Sequence, residues 1–181
     1  MPRAGLSPDA VTDAALAQVD EGGPESLTLA AVAARTGVAT PSLYKHVRSL
    51  AELRDRVALR VLDELTSRLS DAVMGRSRDD AVRAAMLAYR DFVAEHPRRY
   101  RALPQAAQPS LADANDRLVG VLFAVMRGYG LDDSAVIHAT RCLRAAVHGF
   151  AVLESAGGFR LAEDVDESFD QLIAMVTAGL R

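Results

Sequence analysis

Apolar positions recur every three to four residues through most of this chain, and the runs are closed by recognisable stop signals. Ser7, Pro8 and Asp9 supply an N-cap, a first-turn proline and an acidic first turn, so a helix is expected from there to about Glu21, before Gly22-Gly23-Pro24. Thr28 caps a second, short helix expected over Leu29–Thr36, and Gly37 provides the left-handed residue that ends it. Thr40 with Pro41 opens a third, expected to reach about Val47, with Thr40 as its cap. Ser49-Leu50-Ala51-Glu52 has the pattern of a capping box and opens a long fourth helix to about Met74, closed by Gly75.

Longer helices follow. Asp79 or Asp80 starts one in which Val82, Met86, Tyr89 and Val93 keep helical period, interrupted at His96-Pro97. A short turn of helix is expected over Arg98–Leu103, then a loop from Pro104 to Pro109. Leu111, Leu118, Leu122, Val125 and Tyr129 line the next helix, stopped at Gly128–Gly130. Asp133 is the expected cap of a helix carrying Val136, Thr140, Leu143, Val147 and Phe150, and Gly157-Gly158 ends it. Asp166 is the expected cap of the last, with Phe169, Leu172, Ile173, Val176 and Leu180 on one face. No stretch shows bounded strand-like alternation. The class predicted is all-α, with about nine helices.

Composition narrows this further. Half of the 181 residues are apolar, enough for a packed core, and there is no tryptophan. The N-terminus lacks an apolar run of signal-peptide length and no run approaches a membrane span, so a cytoplasmic protein without membrane contact is expected. The single cysteine, Cys142, precludes an internal disulfide framework and is expected to be buried and inert. Net charge is −3, which argues against nucleic acid until its distribution is read. Between Arg35 and Arg60 stand six basic residues (Arg35, Lys45, Arg48, Arg54, Arg56, Arg60) against Glu52 and Asp55, a local balance of +4. Local charge is what counters phosphates, although a charge run is more often a solvated helix face.

The useful anomaly is the pair of short helices joined at Gly37. Helices of about two turns persist only when packed against neighbours. Val32, Ala33, Val38, Leu43 and Val47 provide the apolar contacts of a helix-turn-helix, whose second helix enters the major groove with its first residues at base edges. That helix reads Thr40-Pro41-Ser42-Leu43-Tyr44-Lys45-His46-Val47. Apart from the apolar positions it offers hydroxyls, a phenol, an ammonium and an imidazole, which suit groove and phosphate contacts rather than catalysis. Thr28, Thr40, Pro41, Ser42, Tyr44, Lys45, His46 and Arg48 are the expected DNA-contacting residues.

The stretch from Leu27 to Leu53, LTLAAVAARTGVATPSLYKHVRSLAEL, resembles the DNA-binding domain of TetR-type regulators. The resemblance rests on the leucine-threonine entry, the alanine-rich second helix, Gly37-Val38, and Leu43-Tyr44-x-His46-Val47 leading into a long helix. Toward the C-terminus, His148-Gly149-Phe150, Gly157-Gly158-Phe159 and Asp164-Val165-Asp166-Glu167-Ser168-Phe169 resemble a TetR-type ligand-binding subclass with a tryptophan-x-x-x-histidine-glycine helix. Arg144 stands at the tryptophan position, and Leu50 replaces a lysine common at the start of the fourth helix, which removes one phosphate contact. The resemblance implies a helix-turn-helix domain over residues 1–49 and a helical ligand-binding and dimerisation domain over 50–181, with the helix 50–74 linking them. It also implies a homodimer on a near-palindromic double-stranded DNA operator, acting as a repressor released by a small-molecule effector. A regulator without such an effector is the alternative.

Other residues carry two readings each. Tyr89, Phe92, Tyr100, Phe123 and Met126, with His138 and Arg141, could line a pocket for a hydrophobic effector bearing a polar end; the aromatics could equally be core. Ala145, Ala146 and Gly149 on one helix and Phe169, Leu172, Ile173 and Val176 on the last are the expected dimer interface. His148 is expected to be a structural histidine rather than a ligand. No metal ligand set, cofactor motif or nucleophile–base pair can be named, so neither a metal nor a cofactor is expected, and an enzyme using His138, Cys142 or His148 is not.

Overall fold

The computed structural model describes residues 6–181, and among these it contains nine α-helices and no strand. In order they are α1 (Pro8–Gly22), α2 (Leu29–Thr36), α3 (Thr40–Leu43), α4 (Leu50–Val73), α5 (Arg78–Glu95), α6 (Pro97–Arg101), α7 (Ala112–Arg127), α8 (Asp133–Ser155) and α9 (Val165–Ala178), with 3₁₀ turns at Pro24–Ser26 and Pro109–Leu111. The chain divides into two compact units. One comprises the chain up to Leu62 together with Arg98–Asp113, and the other Asp63–Pro97 with Ala114–Arg181.

In the first unit, Ser7 Oγ accepts from the Ala10 amide at 3.1 Å and Thr28 Oγ1 from the Ala31 amide at 3.1 Å, each filling an otherwise unpaired donor of a helix start. At the end of α2, Gly37 adopts φ 69°, ψ 29°. Its amide donates to Ala34 O, and the Val38 amide donates to Ala33 O at 3.0 Å, which returns the chain sharply toward α3. The core of this unit contains Val11, Ala15, Val19, Leu27, Val32, Leu43, Val47, Leu53 and Val57. Tyr100 and Leu111, distant in sequence, are buried in the same unit.

The third helix is shorter than expected. It ends at Leu43, and Tyr44–His46 continue as a turn whose Lys45 and His46 amides donate to Ser42 and Leu43 carbonyls three residues back. So short an element is held by burial of Leu43 and Val47 rather than by its own ladder, and its last turn tightens. Thr40 is not its cap. That position falls to Ala39, which has extended backbone and no side-chain acceptor.

In the second unit, α5 packs on α8 and α9, and α8 on α9. Two caps differ from expectation. Asp132, not Asp133, accepts from the Ala135 amide at 2.8 Å, and Asp164, not Asp166, accepts from the amides of Asp166 and Glu167. A capping carboxylate must sit on extended backbone before the helix, so Asp133 and Asp166 fall inside the first turn, where their charge meets the positive helix end. Neither Asp79 nor Asp80 caps α5; Ser77 occupies the position without a side-chain bond. Asp79 instead accepts from the Tyr129 hydroxyl at 2.6 Å and pairs with Arg181.

Candidate nucleic-acid interface and effector region

The α2–turn–α3 segment separates its apolar from its polar side chains. Leu43 and Val47 are buried, whereas Pro41, Tyr44, Lys45 and Arg48 are exposed and Thr40, Ser42 and His46 are half-buried. Tyr44 is 56% exposed, so its ring and hydroxyl are accessible from solvent. Thr28 is exposed, its hydroxyl oxygen taken by the cap bond.

The long-range partners of the basic residues change the charge picture. Arg35 is held by Glu21, Arg60 by Asp13 at 3.1 Å, and Arg48 and Arg56 share Glu52 at 3.0 and 2.7 Å. Glu21 and Asp13 lie outside the stretch that gave +4, so part of that balance is cancelled in three dimensions. Lys45 and Arg54 make no ion pair among the described residues.

Glu52 also organises the entry to α4. Its carboxylate accepts from the Arg48 amide at 2.8 Å as well as from both guanidinium groups, and Ser49 Oγ accepts from the Glu52 amide at 3.1 Å. The backbone bond from Arg48, then the side-chain bonds from Arg48 and Arg56, hold the carboxyl at about 2. The reciprocal half of the capping box therefore reaches the residue before the cap, and it holds Arg48 at the α3–α4 junction.

The expected effector residues fall in both units and at different depths. Tyr89 and Phe92 on α5 and Met126 on α7 are buried in the second unit, and Phe123 is half-buried. Tyr100 lies in the first unit. His138 and Arg141 are exposed on α8, so they do not supply polar groups to an interior lined by those aromatics. An arginine on the face of α8 opposite Val136, Thr140, Leu143 and Val147 stays hydrated, because burial without a partner is costly. Cys142 is exposed rather than buried. It shares with His138, Ala146, Met175 and Val176 an open groove of about 630 Å³ between α8 and α9.

The expected interface residues divide by face. Ala145 is exposed, and Ala146, Gly149, Leu172 and Val176 are half-buried. Phe169 and Ile173 are buried within their own protomer at 0% and 4% exposure, which removes them from any surface. Phe169 packs on Phe150, with ring centroids 4.9 Å apart, and both rings lie beneath the Arg90 guanidinium. The large apolar side chains that do reach the surface of α8 and α9 are Ile137, Val152, Leu153 and Met175, none of them singled out from sequence.

Two arginine centres also escaped the sequence. Arg90, on α5, forks Glu154 through Nε at 2.7 Å and reaches Asp166 at 2.7 Å, joining three helices. On α6, Arg98, Arg99 and Arg101 engage the end of α1 and the turn after it. The run Arg98-Arg99-Tyr100-Arg101 was visible, but nothing local names its partners.

Residues 11–57 match the family model described as bacterial regulatory proteins of the tetR family, and residues 82–176 match the tetracyclin repressor-like C-terminal domain. The chain is 35% identical over 181 residues to the uncharacterized HTH-type transcriptional regulator Rv0681 of Mycobacterium tuberculosis, covering 97% of this chain and 82% of that protein. Its fold is similar to that of SCO7222, a TetR from Streptomyces coelicolor, with TM-score 0.79, 21% identity and coverage of 97% and 98%. It is also similar to a TetR variant from Acinetobacter baumannii solved in complex with minocycline, with TM-score 0.66, 22% identity and coverage of 97% and 93%. The chain belongs to the TetR family of bacterial regulatory proteins and is a DNA-binding transcriptional regulator. Among the described residues no helix is long and apolar enough to cross a membrane.

Proposed function

We propose that this regulator is a cytoplasmic, non-enzymatic repressor that binds a near-palindromic operator as a homodimer and is released by a small hydrophobic effector. Residues 1–49 act as the DNA-reading domain and 50–181 as the effector and dimerisation domain. The observation that carries the reading is the α2–α3 unit, in which buried Leu43 and Val47 leave Pro41, Tyr44 and Lys45 exposed and Thr40 half-buried beside the Gly37 turn. Ser42 and Thr40 read base edges; Tyr44, Lys45, His46 and Arg48 contact backbone, with Thr28 at the first turn of α2. The exposed Ala145 and Met175, with half-buried Ala146, Gly149, Leu172 and Val176, form the two-fold interface. The minocycline complex of the A. baumannii variant supports an effector of small-molecule type. The solvent-facing His138 and Arg141 favour a second reading, a regulator with no small effector, because they leave the buried aromatics without a polar group of that pair.

Binding-site selection on genomic DNA, followed by titration of the recovered duplex, tests the proposal. Tyr44→Ala weakens all sequences by a similar factor, whereas Ser42→Ala relaxes preference at one position per half-site, at roughly 1–3 kcal/mol per lost base contact. Selection that enriches no sequence removes operator reading. An effector that raises the melting temperature without changing operator affinity removes release.

A further inference from the structure

The helix α6 stands between α5 and α7 in sequence, yet Arg98–Asp113 belongs to the same compact unit as α1, α2 and α3. Its attachment is specific. Arg98 donates from one nitrogen to the carbonyls of both Asp20 and Glu21 at 2.9 Å, the last turn of α1, where helix carbonyls lack partners of their own and a cation is favoured. Arg99 grips the Asp20 carboxylate with two parallel bonds, Nε at 2.6 Å and a terminal nitrogen at 2.7 Å. Arg101 reaches Glu25 in the following turn at 2.6 Å, and Tyr100 between them is buried.

The same end of α1 is tied to the recognition turn. The Glu21 carboxylate accepts from Arg35 at 2.9 Å, and Arg35 sits in the last turn of α2, two residues before Gly37. A continuous set of bonds therefore runs from α6, through the end of α1, to the residues that set the direction of α3. A fork of this kind fixes orientation as well as distance, which a lysine at the same place would not do.

We propose that Arg98 and Arg99 are positioning residues for operator binding: α6 completes the DNA-reading unit by clamping the end of α1 that aims α2 and α3. The proposal rests on the reading of α2–α3 as the operator reader. Neither arginine touches DNA in this scheme. Both act through the placement of other groups within the same compact unit.

The test uses the full chain and the duplex recovered by binding-site selection, titrated from 50 to 300 mM KCl. Arg99→Ala is expected to weaken binding by roughly 3- to 30-fold. The slope of log affinity against log salt stays unchanged, since no phosphate contact is lost. The exchange Asp20→Arg with Arg99→Asp restores the fork in reverse and returns most of the affinity. Should Arg99→Ala melt below the assay temperature, Arg99→Lys, which keeps the charge and loses the fork, is expected to show the same loss at the same slope. Full affinity in Arg99→Ala or Arg99→Lys overturns the proposal, as does failure of the exchange to rescue. A slope reduced by about one unit per protomer also overturns it, because Arg99 would then be a direct phosphate contact. A chain that selects no duplex fails at operator reading itself, a different result from one that binds and ignores Arg99.

Discussion

Replacing Gly37 by alanine isolates the backbone contribution of the recognition turn. A Cβ built at Gly37 meets nothing within 4 Å, so the substitution introduces no clash and removes no contact. What it changes is the energy of holding φ at 69°. For an alanine that conformation costs about 1–2 kcal/mol. Alanine also restricts the unfolded chain, which returns about 0.4–1 kcal/mol. The net expectation is a loss of about 1 kcal/mol, or roughly 2–4 °C in melting temperature for a chain of this size. Asparagine visits the left-handed region far more readily, so Gly37→Asn is expected to lose only a few tenths of a kcal/mol. Urea titrations followed by circular dichroism, run on the three proteins in parallel, measure both differences. Operator affinity below the midpoint should be preserved in each, since the bonds from Val38 and Gly37 to Ala33 and Ala34 need only the same backbone angles. If alanine proves neutral, or if asparagine costs as much as alanine, the left-handed conformation is not what makes glycine necessary there.

Three further outcomes are expected. Arg90→Met, which strips Glu154 of its fork and two rings of a cation, should destabilise by about 2 kcal/mol in urea titration, a value reduced from the fully buried case because Asp166 is largely exposed; an unchanged midpoint contradicts a structural role. Burial first, and the neighbouring Arg144 second, push the His148 imidazole below its usual range. The neutral form is favoured in the fold, so its contribution is present above the free value near 6.5 and is lost as pH falls below it; His148→Asn should flatten the melting profile between about pH 7 and 5, and an identical profile refutes the assignment. Met175→Glu places a charge on a side chain that is 65% exposed and so spares the protomer fold, yet it should convert dimer to monomer in light scattering at micromolar concentration; a dimer that persists removes α9 from the interface.

The helix starts that the sequence made readable are those whose cap and first turn are fully local. Ser7, Thr28 and Ser49 each accept from the amide three residues on, a relation contained in one turn of chain. Asp133 and Asp166 were misplaced for a local reason as well: consecutive or alternate acidic residues offer several candidates, and only backbone geometry selects the one before the helix. The α3 boundary failed differently. Hydrophobic spacing from Leu43 to Val47 is compatible with a continued helix, but two anchored residues do not oblige the amides between them to keep the α ladder. The apolar strip on α9 shows the corresponding ambiguity for packing. Phe169 and Ile173 repeat at helical period beside Leu172 and Val176, and periodicity marks the strip without saying which edge meets the protomer's own α8 and which is left for another molecule.

Charge is where the step from sequence to site was longest. The balance of +4 over Arg35–Arg60 counted cations that the fold spends on distant carboxylates, Glu21 for Arg35 and Asp13 for Arg60. Those pairs are exposed or half-exposed, so each adds little to stability; what they do is fix where α2 and α4 stand against α1. Among the described residues no carboxylate holds Lys45 or Arg54, and Arg48, paired with Glu52, is still 90% exposed along its side chain. A basic stretch thus contains two populations, one held in ion pairs with distant carboxylates and one without such a partner among the described residues. The pairing pattern separates them, because a count of charge weighs Arg35 and Arg54 alike although the first closes α2 and the second stands near the start of α4.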